Sequence, residues 1–235
     1  MACLAMIGCN TDPHPSPGLS AVVVKVVAQP KIGTAASPAH VATYDGSDTP
    51  AGGTGAFARV DYSDLHDIVV FLESADAKAA IPPPAAPVTI DLKEDDSSAG
   101  ISGVAGVGQT IIFRNTTSSV LAAYSVSDGN QFNLGTIPPG GVARAEAKSP
   151  GLIEIVTDSA REPLARVYAA PTCWVALTQS GSTAAFNDVP PGHYRVVSWH
   201  PRLPGSTVEA DLVADRVSHS SIDVGVNHLP KIQSN

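Results

Sequence analysis

The sequence predicts an all-β protein built as two Greek-key β-sandwich domains, and three observations predict it. Glycine and proline each occur 20 times in 235 residues, so the chain is broken at short intervals. Between the breaks stand short runs rich in Val, Ile, Thr and aromatic residues, the side chains that suit a pleated, half-buried surface. Through the second half these runs recur every seven to twelve residues or so, the rhythm of a sandwich or Greek-key barrel. Long helices would need more Leu, Glu and Lys than a chain with only 15% charged residues offers. Hydrophobic residues make up 43%, enough to build one large core or two small ones.

The chain is organised around Asp188-Val-Pro-Pro-Gly-His-Tyr-Arg-Val-Val-Ser-Trp-His-Pro-Arg-Leu-Pro-Gly205. Pro190, Pro191 and Gly192 make a turn, Tyr194 to Trp199 a strong strand, and Pro204-Gly205 reads as its stop. Upstream, residues 10–19 are polar and proline-rich and read as a tether. Ala21 to Ala28 is a β-branched run suited to a core strand. A weaker strand is expected at His40 to Tyr44, a half-buried one at Phe57 to Tyr62, and a strong one at Ile68 to Glu73. Ala75 to Pro87, with its Pro82-Pro-Pro84 run, cannot sustain a hydrogen-bonded ladder and reads as a linker.

Beyond the linker, strands are expected at Val88–Lys93, Gln109–Asn115, Val120–Val126 and Phe132–Gly135. Glu94 to Gly108 reads as an acidic Ser/Gly loop, and Pro138-Pro-Gly-Gly141 as a turn. Further strands follow at Val142–Ala147, Leu152–Val156, Leu164–Ala170, Trp174–Leu177, Ala184–Phe186, Thr207–Leu212 and His219–Val224. The expected division is 1–9 signal-like, 10–19 tether, 20–74 together with 172–226 as one sandwich, 75–87 linker, 88–171 an inserted sandwich, and 227–235 a polar tail.

A formal charge of −8, with scattered rather than clustered cations, argues against a nucleic-acid partner, which needs a basic face to neutralise phosphates. Met1-Ala-Cys-Leu-Ala-Met-Ile-Gly-Cys9 is apolar but far too short to span a bilayer. It resembles the end of a truncated bacterial lipoprotein signal, in which the Cys after Gly becomes the acylated first residue. That resemblance implies lipidation at Cys9 and a periplasmic or outer-membrane-anchored location. Of the three cysteines only Cys173 then remains, so a structural disulfide is not expected.

Two further patterns resemble known families. Gly108-Gln-Thr-Ile-Ile-Phe-Arg-Asn115, Leu121-Ala-Ala-Tyr-Ser125, Phe132-Asn-Leu134 and Gly151-Leu-Ile-Glu-Ile-Val156 together resemble a cupredoxin, of the plastocyanin-like, methylamine-utilisation-protein-like kind found in the periplasm. Phe186-Asn-Asp-Val-Pro-Pro-Gly-His-Tyr194 resembles the second half of a carboxypeptidase-regulatory-like (transthyretin-like) β-sandwich. Its continuation Trp199-His-Pro-Arg202 is similar to the tail of the same plastocyanin-like proteins.

The resemblance implies a copper site, and the residues do not supply one. Blue copper is held by two imidazoles, a thiolate and a weak axial ligand. The corresponding positions here are Leu121, Thr157, Ala160 and Pro163, and no His or Cys lies between Gln109 and Pro171. The expected domain is therefore metal-free, with no cofactor. Elsewhere, His193 and His200 fall on opposite faces of a flat strand or beyond its end. His66 with Asp64 and Asp67 reads as a solvated turn. Asp95-Asp96-Ser97-Ser98 lacks the spacing of a calcium loop. There is no phosphate-binding glycine loop and no nucleophile elbow.

The functional expectation is a non-catalytic accessory protein of the bacterial envelope, acting through protein or glycan contacts. The competing expectation is a metal- or electron-handling protein using His193, His200, His219 or Cys173. A hydrolase ranks last, because no nucleophile–base pair can be named.

Overall fold

A computed structural model describes residues 13–29, 62, 64–75, 86–93 and 100–225. Among these, every regular element is a strand. In chain order they are β1 (Ser20–Ala28), β2 (Ile68–Ser74), β3 (Val88–Leu92), β4 (Gly103–Gly106) and β5 (Thr110–Asn115). Then come β6 (Leu121–Ser125), β7 (Phe132–Ile137), β8 (Val142–Glu146), β9 (Gly151–Ile155) and β10 (Ala165–Ala170). The last five are β11 (Val175–Thr178), β12 (Thr183–Val189), β13 (Gly192–His200), β14 (Leu203–Leu212) and β15 (Val217–Val224). The protein is all-β.

Strands from both ends of the chain build the first sandwich. One sheet runs β12-β1-β15, with β1 antiparallel to β12 and parallel to β15. The other runs β11-β2-β13-β14, antiparallel throughout. Val22, Val24 and Val26 from β1 meet Ile68, Val70 and Leu72 from β2, with Phe186, Tyr194 and Val196 between and around them. Trp174 meets Tyr194 edge-on, the arrangement ring quadrupoles favour.

The intervening strands build the second sandwich. Sheet β3-β5-β8 packs against the sheet β4-β10-β9, which β6-β7 continues through the backbone bonds between Tyr124 and Val156. Ile90, Leu92, Ile111 and Phe113 close against Ile153, Ile155, Val167 and Ala169. Asn115, fully buried at the end of β5, donates to the carbonyls of Ser119 and Ile137 and accepts from the Thr117 backbone N–H. One side chain thus ties down both loops at that end of the sandwich, as a buried amide must if its polar atoms are to be satisfied.

The two sandwiches stack back to back through β2. All five residues from Ile68 to Leu72 are buried, so this strand has no solvent face. Ile68, Val70 and Leu72 enter the first core, while Val69 and Phe71 point the other way. There they join Tyr168 and Ala170 of β10, Val175 of β11 and Ile101 in a third apolar cluster. A strand buried on both faces reads as an unbroken apolar run rather than an alternation, and Ile68-Val-Val-Phe-Leu72 is such a run.

Several expectations need correction. The stretch Glu94–Gly108 is not loop throughout, since Gly103-Val-Ala-Gly106 forms β4, parallel to β10. Pro204-Gly205 does not stop the organising strand but lies inside β14. The chain turns at Pro201-Arg202, and β13 and β14 form one long hairpin with a register shift between Ser198 and His200. Gly205 permits this, because a Cβ there would lie 2.7 Å from the Ser198 carbonyl oxygen.

The expected tether is fixed from Ser16 onward. The Ser16 N–H donates to Asp188 Oδ1 and the Gly18 N–H to Asp215 Oδ1, both at 2.7 Å. The strand expected at His40–Tyr44, nearly all of that at Phe57–Tyr62, most of the linker and the tail lie outside the described residues.

The double burial of β2 makes a direct prediction. Phe71→Ala removes an aromatic ring from the layer between the sandwiches without touching either sandwich core. A loss of about 3–5 kcal/mol in unfolding free energy is expected by denaturant titration. A loss below about 1 kcal/mol would contradict the packing described.

Candidate functional site

The corner that the cupredoxin resemblance assigns to copper is packed as core. Leu121 opens β6 and is 2% exposed. Tyr124 sits opposite Val156, and the same register carries Leu121 alongside residues 157–160. There Thr157 is buried with its hydroxyl 3.5 Å from that of Ser159, and Ala160 packs against the core that Leu121 enters. Methyl, isobutyl and hydroxyl groups occupy the places where soft nitrogen and sulfur donors would be needed. The residues do not fit a copper ion.

The histidines are not brought together. His193 is exposed at the start of β13, where its Nδ1 meets Asp211 of β14. His200, at the other end of β13, is buried. His219 is exposed on β15, in the opposite sheet, and Cys173 is half-buried before β11. Among the described residues no three His, Cys, Asp or Glu side chains group as a metal site. Asp95, Asp96 and the lipidation candidate Cys9 lie outside the described residues.

Asp67 corrects the reading of the 64–67 turn as merely solvated. It adopts a left-handed backbone (φ 62°), and its Oδ1 accepts the Ile101 N–H at 2.8 Å. A carboxylate of the first sandwich thus fixes the chain entering β4 of the second. Position 100 must be glycine for this, since a Cβ there would lie 2.5 Å from both Asp67 carboxylate oxygens. Beside this link, Trp199 stacks on Tyr168 with ring centroids 4.3 Å apart, and Tyr168 lies 6.1 Å from Phe71. Burial, and to a lesser degree the charge of Glu73, raises the Tyr168 phenol above its ordinary pKa.

The cleft of interest lies along β3. It has a volume of about 550 Å³ and is lined by Thr89, Asp91 and Lys93, by Arg114 of β5, and by Gly100, Ile101, Ser102 and Leu164. The Leu92 carbonyl accepts from Thr116 on the β5 side, while the Lys93 N–H turns away from β5 to the Leu164 carbonyl. Among the described strands β3 pairs with β5 alone, and the alternation sets the backbone groups of Thr89 and Asp91 along its other edge. Arg114 grips Asp91 with two bonds, Nε to Oδ1 at 2.7 Å and Nη2 to Oδ2 at 3.0 Å. That hydrogen bond, ahead of the guanidinium charge, holds the Asp91 carboxyl below its ordinary pKa.

Arg114, Asp91 and Lys93 are absent from the sequence-derived candidates. The available signal was the alternation Val88-Thr-Ile-Asp-Leu-Lys93, which puts Thr89, Asp91 and Lys93 on one face of a strand. What it lacked was the partner: β3 meets Arg114 by a parallel pairing across a loop, which local pattern does not encode.

No family model and no curated protein matches the chain. Matching solved structures include two mutants of amicyanin in the Cu(I) state. One is 11% identical, with a TM-score of 0.28 over 43% of this chain and 99% of that one. The other is 14% identical, with a TM-score of 0.28 over 44% of this chain and 99% of that one.

Proposed function

We propose that this chain is a non-catalytic, exported accessory protein of the bacterial envelope, which works without copper by holding a protein partner. The observation that carries the reading is the polar cleft beside the edge of β3 that no described strand pairs. It offers backbone hydrogen-bonding groups, a guanidinium already oriented by Asp91, and the Lys93 ammonium. Such a surface suits contact with an extended polypeptide, where main-chain bonds give affinity and flanking charges give selectivity. The accessory role is consistent with the resemblance of residues 183–200 to carboxypeptidase-regulatory-like modules. The packed corner at Leu121 supports a role other than electron transfer. No observation favours the competing reading, because His193, His200, His219 and Cys173 stand on separate parts of the first sandwich.

The cleft is tested with a photo-reactive side chain at position 89, introduced in cells that express the full chain. A discrete cross-linked adduct is expected, and Lys93→Glu with Arg114→Glu should reduce its yield at least about tenfold. The variant should keep its melting temperature within about 2 °C, since exposed ion pairs add little to stability. An adduct of undiminished yield in the double variant would place the contact elsewhere.

Anchoring through Cys9 is a separate part of the proposal. The interval from Cys9 to Ser16, where the chain becomes fixed, spans at most about 25 Å. The first sandwich would therefore be held close to the membrane surface. The wild-type protein is expected in the membrane fraction, and Cys9→Ala in the soluble one. Equal partition of the two would rule out lipidation.

A further inference from the structure

His200 occupies a position that the proposed binding role does not use. It closes β13, where the register against β14 shifts, and it is 4% exposed. Its Nδ1 accepts the Arg202 backbone N–H at 3.1 Å, which folds the hairpin tip back on the ring. The ring also lies beside the 64–67 segment, close enough for Asp67 to act on its charge. An Nδ1 that accepts is unprotonated, so the bond from the Arg202 N–H requires the neutral Nε2–H form of the ring.

The residues beside the ring, in the chain and in space, lead to the contact between the sandwiches. The residue before it, Trp199, stacks on Tyr168 of β10. The residue after His66 is Asp67, whose carboxylate holds the Ile101 N–H at the entry to β4. We infer that His200 is the proton-sensitive key of the joint between the two sandwiches, so that mild acid loosens their contact while each core stays folded.

The physical steps are few. Protonation puts an N–H at Nδ1, directly facing the Arg202 N–H, and the acceptor bond becomes a donor–donor clash. The charged groups around the ring are Arg202 from the hairpin tip and Asp67 from the 64–67 segment, which also carries the imidazole of His66. Glu73 of β2 acts on Tyr168, itself a neutral phenol, rather than on His200. Arg202 repels the imidazolium. Asp67 attracts it, but a carboxylate drawn to His200 is drawn away from Ile101. Burial first, then Arg202, depresses the His200 pKa, with Asp67 and the His66 backbone partly offsetting the shift.

The direction in pH follows. A histidine depressed in the closed joint binds its proton more readily once the joint opens. The closed form is therefore fully favoured above the free-histidine value of about 6.5 and loses ground as pH falls below it.

The full-length protein labelled with 5-fluorotryptophan tests this by fluorine NMR between pH 7.5 and pH 5. Trp199 reports on the joint, and Trp174, buried in the first core, serves as the internal reference. The Trp199 line should shift reversibly with a midpoint below about 6.5, while the Trp174 line and the far-ultraviolet circular dichroism stay constant. His200→Asn keeps an acceptor at the δ position without a titrating group, and it should abolish the Trp199 shift. His66→Gln should leave it in place.

A Trp199 shift that persists in a folded His200→Asn variant would overturn the inference. So would a wild-type Trp199 line that moves only when Trp174 moves. If His200→Asn does not fold, nitrogen-15 NMR of the wild-type histidines decides. A His200 ring in the Nε2–H form, titrating with the Trp199 midpoint, supports the joint; one titrating like an exposed histidine contradicts it.

Discussion

The structure depends on one strand having no outside. β2 supplies Ile68, Val70 and Leu72 to one core and Val69 and Phe71 to another layer, so neither side can be exposed without losing apolar burial. Each of these side chains contributes about 1.5–3 kcal/mol when fully buried. The four sheet layers are therefore held as one stack, with β2 and β13 on one side of the middle contact and β10 on the other. The polar groups that flank this contact are arranged around it. Asp67 satisfies the Ile101 N–H, and the His200 ring satisfies the tip of the β13–β14 hairpin. An apolar layer supplies the adhesion, and a few directional bonds at its margin fix the register.

The corner around Leu121 is built as core. The second sandwich draws stability from its own core, in which Leu121 and Ala160 take part, and from the layer shared with the first. A ligand set would have to interrupt that core with imidazoles and a thiolate, which are costly to bury unless metal satisfies them. Aliphatic side chains stand there instead. The cleft along β3 is the place where backbone edge, paired charge and solvent meet.

The sequence made the all-β class legible because alternation and turn residues are local signals. Tyr194–Trp199 alternates, and Pro190-Pro-Gly192 punctuates. The unbroken run of β2 was recognisable as a strand, but its second buried face depends on Tyr168 and Ile101, far away in sequence. β4 was read as loop because Gly103 and Gly106 carry no strand preference, and its pairing is a parallel one to the distant β10. Pro204-Gly205 was read as a stop because such pairs usually are. The register shift at Ser198–His200 overrides that local preference and lets the glycine pass close to the Ser198 carbonyl. The absence of His and Cys between Gln109 and Pro171 was visible at once; that Leu121 and Ala160 share one core needed the fold. The cleft was not legible, because Asp91 and Arg114 meet only through tertiary pairing.

The proposed function has this protein act through its surfaces rather than through a bound metal. Elemental mass spectrometry, with a visible spectrum, on full-length protein expressed in copper-supplemented cells tests that claim most directly. Copper and zinc well below one equivalent after dialysis are expected, with no thiolate-to-copper absorption band. One equivalent of copper with such a band would contradict that claim, and would make the histidines of the first sandwich and Cys173 the site to examine.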